Sequence, residues 1–355
     1  MKKSKLYLVV LICASAYLHI CTSSFAQDLH FSEFFYSPLT VNPANTGVFN
    51  GDVRASTMYR MQWFTITNPY KTASVAVDAP LVNNTKKWRS DDFFSAGFNF
   101  NNDNEGSVNL KTNSYNGLFS FTKYLGGRNK HYVTTGFSLG YNTKSAGLGS
   151  LKYDSQFDPA TGSYNSAYGY GEAGGGRSIG YMDMNAGLVW NFNTDRKFRS
   201  AIGFSINHIT SPDVSIDGGN DPLLRKYSFQ WNGAYKLGYN SNAVLLPNVL
   251  VSRQGASTLL DAGANVKYLL QERSRYTNFQ GERSMSIGLY YRLGDAMFVN
   301  LRLDYSDIAF AFAYDINISG LTPASKTIGG FELMLQYRGI FGYRQNTKRS
   351  SERFM

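Results

Sequence analysis

The chain has 355 residues, a net charge of +10, 17% charged and 43% hydrophobic residues, and aromatics at 15% of all positions. That much aromatic surface excludes disorder, glycine without a fixed period excludes a collagen-like fibre, and two cysteines exclude a disulfide scaffold or a four-ligand cysteine zinc site. With 25 Tyr and 25 Phe, the composition suits a β-rich chain, because such side chains fit a pleated surface.

Lys2, Lys3 and Lys5 precede an apolar run from Leu6 to Ile20, and Ser24-Phe25-Ala26 fits a small-x-small cleavage site. Residues 1–26 therefore read as a cleaved signal peptide. The run is short of the ~20 residues a spanning helix needs. A lipid-modified Cys21 is the weaker reading, because bulky Ile20 stands where such a site wants a small residue. Cleavage after Ala26 removes Cys13 and Cys21 and lowers the net charge to +7. No run of Lys and Arg occurs outside the termini, so the remaining charge is not a nucleic-acid signal.

Residues 27–50 read as an irregular periplasmic lead-in. Pro38 and Pro43 remove backbone donors and push the preceding residues toward extended conformations, which argues against an added strand. Phe31, Phe34, Phe35 and Tyr36 still need burial.

From residue 51 to 343 the dominant pattern is period two. Val53, Ala55, Thr57 and Tyr59 alternate with Arg54, Ser56, Met58 and Arg60. Phe94, Phe98 and Phe100 alternate with Ser95, Asn99 and Asn101. Met182, Met184, Leu188 and Trp190 oppose Asp183 and Asn185. Similar segments near 202–206, 227–236, 260–268, 299–303 and 331–338, with weaker ones near 72–78, 114–124, 132–141, 244–251, 285–292 and 308–316, bring the count to about 14 strands. No later segment has 18 apolar residues in a row, so no transmembrane helix is expected after the signal.

The second face of these strands is mostly Gly, Ser, Asn and Thr with single charges such as Asp183, Asp261 and Arg302, rather than the Lys and Glu of a soluble sandwich. Small polar residues suit a barrel lumen. Apolar faces ending in Tyr59, Tyr141, Trp190, Tyr268, Tyr305 and Tyr337 suit lipid bounded by aromatic girdles. The expected fold is an all-β, antiparallel up-and-down transmembrane barrel of even strand number, in contact with outer-membrane lipid. Leu301 should face lipid and Val189 the interior. The barrel interior or its periplasmic mouth is then the nearest place to bury the lead-in aromatics.

Alternate connections near 61–71, 101–113, 142–178, 209–226, 252–257, 293–296 and 317–328 are longer in total than the opposite set. Long outer loops and short inner turns are the barrel rule, which places both termini in the periplasm. Residues 344–355, with Arg344, Lys348, Arg349 and Arg353, form a basic tail that is either solvated or a contact for an acidic partner.

Catalysis has little support. His30, His131 and His208 lie in no metal-binding pattern. The G-x-S-x-G spacings at Gly136-Phe137-Ser138-Leu139-Gly140 and Gly176-Arg177-Ser178-Ile179-Gly180 open no helix, so neither makes the strand-to-helix elbow a nucleophilic serine needs. A hydrolase would have to assemble scattered residues, with His208 beside Asp183 or Asp213, whereas the plainer role is a histidine near a strand end. Gly174-Gly175-Gly176 opens no helix and so makes no phosphate loop. Asp154 with Asp158, and Asp213 through Asp221, fit no EF-hand spacing and are better explained as Asx turns. No metal, cofactor or turnover is expected.

Phe35-Tyr36-Ser37-Pro38-Leu39-Thr40-Val41-Asn42-Pro43-Ala44-Asn45-Thr46-Gly47, followed by Tyr59-Arg60-Met61-Gln62-Trp63, resembles the opening of the PorP/SprF family of outer-membrane proteins of the type IX secretion system of Bacteroidota. Ala313-Tyr314-Asp315-Ile316-Asn317, then Gly330-Phe331-Glu332-Leu333, resembles its closing segment. The resemblance implies a non-enzymatic barrel that helps a secreted surface protein reach or stay on the cell surface, together with other secretion components and in a gliding-motility or cell-surface setting. Its family-like positions are Ser37, Pro38, Asn42, Pro43, Ala44, Gly47, Arg60, Gln62, Trp63, Tyr314 and Asp315. The long 142–178 connection, with Tyr153, Phe157, Tyr164, Tyr168 and Tyr170 among Gly, Ser and Asn, has the composition of a recognition loop and is the candidate partner contact. The alternative is a channel or transporter for small or apolar molecules.

Overall fold

The computed structural model describes residues 28–64, 68–81, 92–106, 109–125, 131–147, 156–159, 161–164, 177–193, 198–216, 219–238, 241–271, 282–320, 322 and 327–339. The signal segment and the basic tail lie outside them. The strands are β1 (Val53–Gln62), β2 (Tyr70–Leu81), β3 (Phe93–Glu105), β4 (Leu110–Leu125), β5 (His131–Ala146), β6 (Phe157–Asp158), β7 (Ser163–Tyr164), β8 (Arg177–Asn193), β9 (Phe198–Asn207), β10 (Lys226–Lys236), β11 (Ala243–Gln254), β12 (Ser257–Gln271), β13 (Arg283–Arg292), β14 (Ala296–Tyr305), β15 (Ile308–Asn317) and β16 (Ile328–Gly339). All but β6 and β7 form one closed antiparallel barrel of 14 strands, sealed by β1 against β16. Closure leaves no strand edge unpaired, which hydrocarbon requires. Each of the 14 strand segments expected from the alternation is present.

The faces follow the pleat. On β14, Met297, Val299, Leu301 and Leu303 are exposed, whereas Phe298, Asn300, Arg302 and Asp304 are buried inside. Val189 points inward, 1% exposed, against Ala44 and Ala201. Exposed apolar side chains are costly in water and favourable in lipid, so the outer face is the membrane face. Trp190, Tyr235, Tyr268, Tyr305 and Tyr337 ring one end of it, and Tyr115, Tyr141, Tyr227 and Tyr291 ring the other.

The stretch 101–113 is mostly strand rather than loop. β3 runs to Glu105, β4 resumes at Leu110, and they stay in register from Phe93 with Thr122 to Glu105 with Leu110. Asn102 donates to Asn113 at 2.6 Å and Asn101 to Asn99 at 2.6 Å, so side-chain amides satisfy one another along this polar end. The β10–β11 ladder runs from Lys226–Gln254 to Asn232–Asn248 and resumes at Tyr235–Leu245. Pro247, which has no backbone donor, falls in the gap.

We call the end holding Val53 and Gly339 the terminus mouth, and the opposite end the loop mouth. The lead-in has no strand, as expected, but it coils into turns at Phe34–Tyr36, Pro38–Val41 and Pro43–Asn45. Asn42, before Pro43, is extended with φ −155° and ψ 120°. Of the two sites open to its aromatics, the segment takes the interior. It therefore lies in the lumen, not in the periplasm below it. At the loop mouth, Asp28 N–H donates to Gln254 Oε1 at 3.1 Å; at the terminus mouth, Gly47 N–H donates to Asp78 Oδ2 at 2.7 Å. The chain thus crosses the lumen once before β1 begins. An even number of strands brings the barrel's two ends together, but this extra crossing puts Asp28 and Gly339 at opposite mouths. The chain ends themselves, whose shared side was expected, lie outside the described residues.

Candidate functional site

The lumen is the site, because the chain builds it around a segment of itself. Near the loop mouth the contact is ionic. Glu332 accepts from Ser32 N–H at 2.7 Å and from Glu33 N–H at 2.9 Å, one bond on each carboxylate oxygen. Ser32 Oγ donates to Asp315 at 2.7 Å, and Arg292 donates to Ser32 Oγ at 2.8 Å. Arg60 donates to the His30 carbonyl and lies 3.3 Å from Glu332 and 3.5 Å from Asp315. Arg292 also pairs with Asp261 at 3.0 Å. Arg60 and Glu332 are cross-strand partners on β1 and β16, so the sealing seam of the barrel also grips the segment. A buried charge is tolerated best when paired and hydrogen-bonded. Arg292 meets both conditions, Arg60 is ion-paired while its Nε and Nη2 make no hydrogen bond, and the buried Glu33 carboxylate has no hydrogen-bond partner among the described residues.

The middle is aromatic. Phe34 and Phe35 pack with Leu250, Tyr290 and Phe298. Tyr290 stacks on Phe298 at 4.9 Å, and its hydroxyl accepts from Asn248 at 2.7 Å and Asn265 at 2.6 Å. The Arg302 guanidinium lies 4.4 Å above the Tyr36 ring.

Toward the terminus mouth the fit is steric. Asn42 Nδ2 donates to the Phe204 carbonyl at 3.1 Å. A Cβ on Gly187 would fall 2.0 Å from Asn42 Oδ1, and one on Gly136 would fall 2.5 Å from the backbone of Pro43 and Ala44. Glycine is required where the wall meets the segment this closely. Gly47 adopts φ +69°, and a Cβ there would strike Ser95 Oγ at 2.1 Å. Arg54 holds Asp78 through two bonds at 2.9 and 2.8 Å and lies 4.7 Å over Phe49.

The segment divides the remaining space. One cavity, about 180 Å³, opens at the loop mouth against β3 to β9 and is lined by Asn99, Asn116, Asn142 and Asn185 above an apolar floor of Leu39 and Leu118. A second, also about 180 Å³, opens at the terminus mouth against β1 and β10 to β16 and is lined by Arg54, Lys267, Arg302 and Arg338.

His208, in the loop after β9, has φ +59° and is held there by Asn185 Oδ1, which accepts its backbone N–H at 2.9 Å. Its ring sits between two carboxylates, with Nδ1 2.7 Å from Asp183 and Nε2 3.3 Å from Asp28, and Lys226 lies 2.9 Å from Asp28. Burial opposes its charge, but the bonds to Asp183 and Asp28 outweigh burial and push its pKa up to about 9. A hydrolytic histidine needs Nε2 free for a hydroxyl; here that nitrogen faces a carboxylate of the lumen segment. The ring is a latch for Asp28.

Of the family-like residues, the structure gathers Pro38, Asn42, Pro43, Ala44, Gly47, Arg60 and Asp315 in the lumen. Ser37 bonds only locally, its Oγ 2.9 Å from Thr40. Trp63 caps the loop end of β1, its N–H donating to Gly329 at 2.7 Å and its ring edge-on to Tyr70 at 5.1 Å. Gln62 pairs in the wall with Gly330, and Tyr314 lies on the outer face between Val299 and Phe331. Sequence reasoning missed Ser32, Arg292 and Glu332 as grips. The signal was there, since a charge on the inward face of a strand demands a partner. In the loop candidate, Phe157 and Tyr164 are exposed and meet edge-on at 5.3 Å across β6 and β7. Tyr153, Tyr168 and Tyr170, like Asp154 and Asp217, lie outside the described residues. Asp213 Oδ1 accepts from Ser215 N–H at 3.0 Å and Asp221 N–H at 2.9 Å, as an Asx turn does.

These features define a transmembrane β-barrel whose lumen is plugged by its own N-terminal segment. A family model described as type IX secretion system membrane protein PorP/SprF matches residues 23–337, and the chain belongs to that family. It is an outer-membrane barrel of the type IX secretion system. No curated protein matches the sequence. Among solved structures, the chain is similar to the Ralstonia pickettii toluene transporter TbuX (TM-score 0.48, 11% identity, 86% of this chain and 94% of that one). It is also similar to the Pseudomonas putida toluene transporter TodX (0.48, 11%, 89% and 98%) and to a Pseudomonas aeruginosa FadL homologue (0.44, 8%, 84% and 92%).

Proposed function

We propose that this barrel is a non-enzymatic partner-handling protein, receiving or anchoring a type IX secreted surface protein at the outer membrane together with other components of that system. Family membership supports the setting. The observation that carries the reading is the occupied lumen: a segment gripped by Glu332, Asp315 and Asp78 and wedged against Gly136 and Gly187 fills much of the space a solute would use. A barrel occupied by its own chain is suited to act through its surfaces. The loop mouth, facing the exterior by the barrel rule, is the receiving side, and the 142–178 connection with Tyr153, Phe157, Tyr164, Tyr168 and Tyr170 is its contact.

Deleting residues 155–176 tests the contact, and deleting the whole protein tests the role. Loss of one surface protein from the cell surface in both strains is the expected result. Normal display in the loop deletion removes the loop as contact. Normal display of every secreted protein in the null strain ends the secretion reading and moves the channel alternative ahead.

A further inference from the structure

The terminus-mouth cavity is built differently from the rest of the lumen. In the loop-mouth cluster Arg60 and Arg292 face three carboxylates, Glu332, Asp315 and Asp261. Here one carboxylate, Asp304, serves three cations: Arg302 at 2.8 Å, Arg338 at 3.3 Å and Lys267 at 4.0 Å, and it also accepts from Ser284 Oγ at 2.8 Å. Lys267 has a second partner in Glu282 at 2.9 Å, and Arg54 is fully engaged by Asp78. Arg302 is fixed, buried over the Tyr36 ring and bonded to Gln336 at 3.1 Å. Arg338 is the exception. Among the described residues its side chain makes a single bond, Nη2 to Asp304, which leaves its Nε and Nη1 donors for something else. The space in front of it, about 180 Å³, is far larger than the ~10–15 Å³ that one water needs, and too small for a drug-sized molecule.

We infer that this cavity binds a small oxyanion, a carboxylate or a phosphate group, through the remaining donors of Arg338 with Arg302 and Lys267 behind it. With Nη2 on Asp304, the Nε and Nη1 donors lie on different edges of the planar guanidinium, and each can give one charge-assisted hydrogen bond to an oxygen of such a group. Asp304 competes for the same cations, so the site is tuned to exchange its ligand rather than to trap it. A carboxylate would come from the end of a peptide chain, and a phosphate from solution or a lipid headgroup. The site stands apart from the loop-mouth contact and does not depend on it.

Isothermal titration of the purified barrel in detergent would use inorganic phosphate, N-acetyl-trialanine with a free carboxylate, and N-acetyl-trialanine amide. The expected result is binding of at least one of the two anions, weakened by added salt, and none of the amide. Phosphate alone binding assigns the phosphate source, and the free peptide alone assigns a chain end. Arg338→Gln should weaken binding at least tenfold, Asp304→Asn should tighten it, and Lys144→Gln at the other mouth should leave it unchanged. Opposite signs from neighbouring substitutions cannot come from misfolding, and retained heat-modifiable mobility on gels confirms closed barrels. Absence of binding by both anions, or equal binding by Arg338→Gln, overturns the inference.

Discussion

The two ends of the lumen segment are held by different physics. At the loop end, Asp28 to Glu33 are held by charge: His208, Lys226, Arg60, Arg292, Glu332 and Asp315 surround them. At the terminus end, Asn42 to Gly47 are held mainly by shape, in a channel that Gly136 and Gly187 make just wide enough. Charge-built contacts respond to proton and salt concentration; shape-built contacts respond to side-chain volume. The same segment therefore has one end the environment can loosen and one it cannot. That difference suits a plug that yields from the loop side while staying rooted at the other.

Substitutions at each end separate the two mechanisms. Arg60→Ala leaves Glu332 and Asp315 short of a buried counter-charge, and breaking such a pair costs about 3–5 kcal/mol. The temperature at which the barrel loses its compact mobility on gels should fall sharply. A loss as small as that of an exposed surface mutation would mean the cluster does not hold the plug. Gly136→Ala puts a methyl against backbone that cannot rotate away, an overpacking cost of about 1–3 kcal/mol. Its penalty should be the same in low and high salt, whereas that of Arg60→Ala should vary; a salt-dependent Gly136→Ala would blur the division. The smallest effect is the latch. His208 is charged more readily in the folded protein than in the unfolded chain, so its contribution is complete below about pH 6.5 and fades as pH rises through about 9. Proteolysis near Asp28 should quicken between pH 7 and pH 10 in the parent, and His208→Asn should show no such step. A pH-independent parent would remove the latch.

The barrel was legible in the sequence because its signal is repeated. Fourteen segments each carry the period-two pattern, and an error in one leaves the sum intact. Strand ends were less legible. Asn101 to Lys111 looked like loop because it lacks the apolar outer face, yet beyond the hydrocarbon a strand needs none, and paired amides hold it. In the lead-in, the prolines showed that no strand would form, and the aromatics showed that burial was needed. The direction of travel was hidden, since whether a segment enters a lumen depends on contacts hundreds of residues apart, such as Ser32 with Glu332. Asn42, Pro43 and Gly47 were visible only as a motif. Their reason lies on other strands, in Gly187, Gly136 and Ser95.

The central claim is that residues 28–50 run through the barrel. The natural cysteines, Cys13 and Cys21, precede this segment, so engineered pairs can report on it directly. Ala44 packs with Ala201 in one buried cluster, while Ala311 lies in another with Phe31 and Met58. With Ala44→Cys and Ala201→Cys combined, mild oxidation of the barrel in outer membranes should give a disulfide-linked peptide pair by mass spectrometry. Ala44→Cys with Ala311→Cys should give none. No link in the first pair, or a link in the second, would contradict the threaded segment.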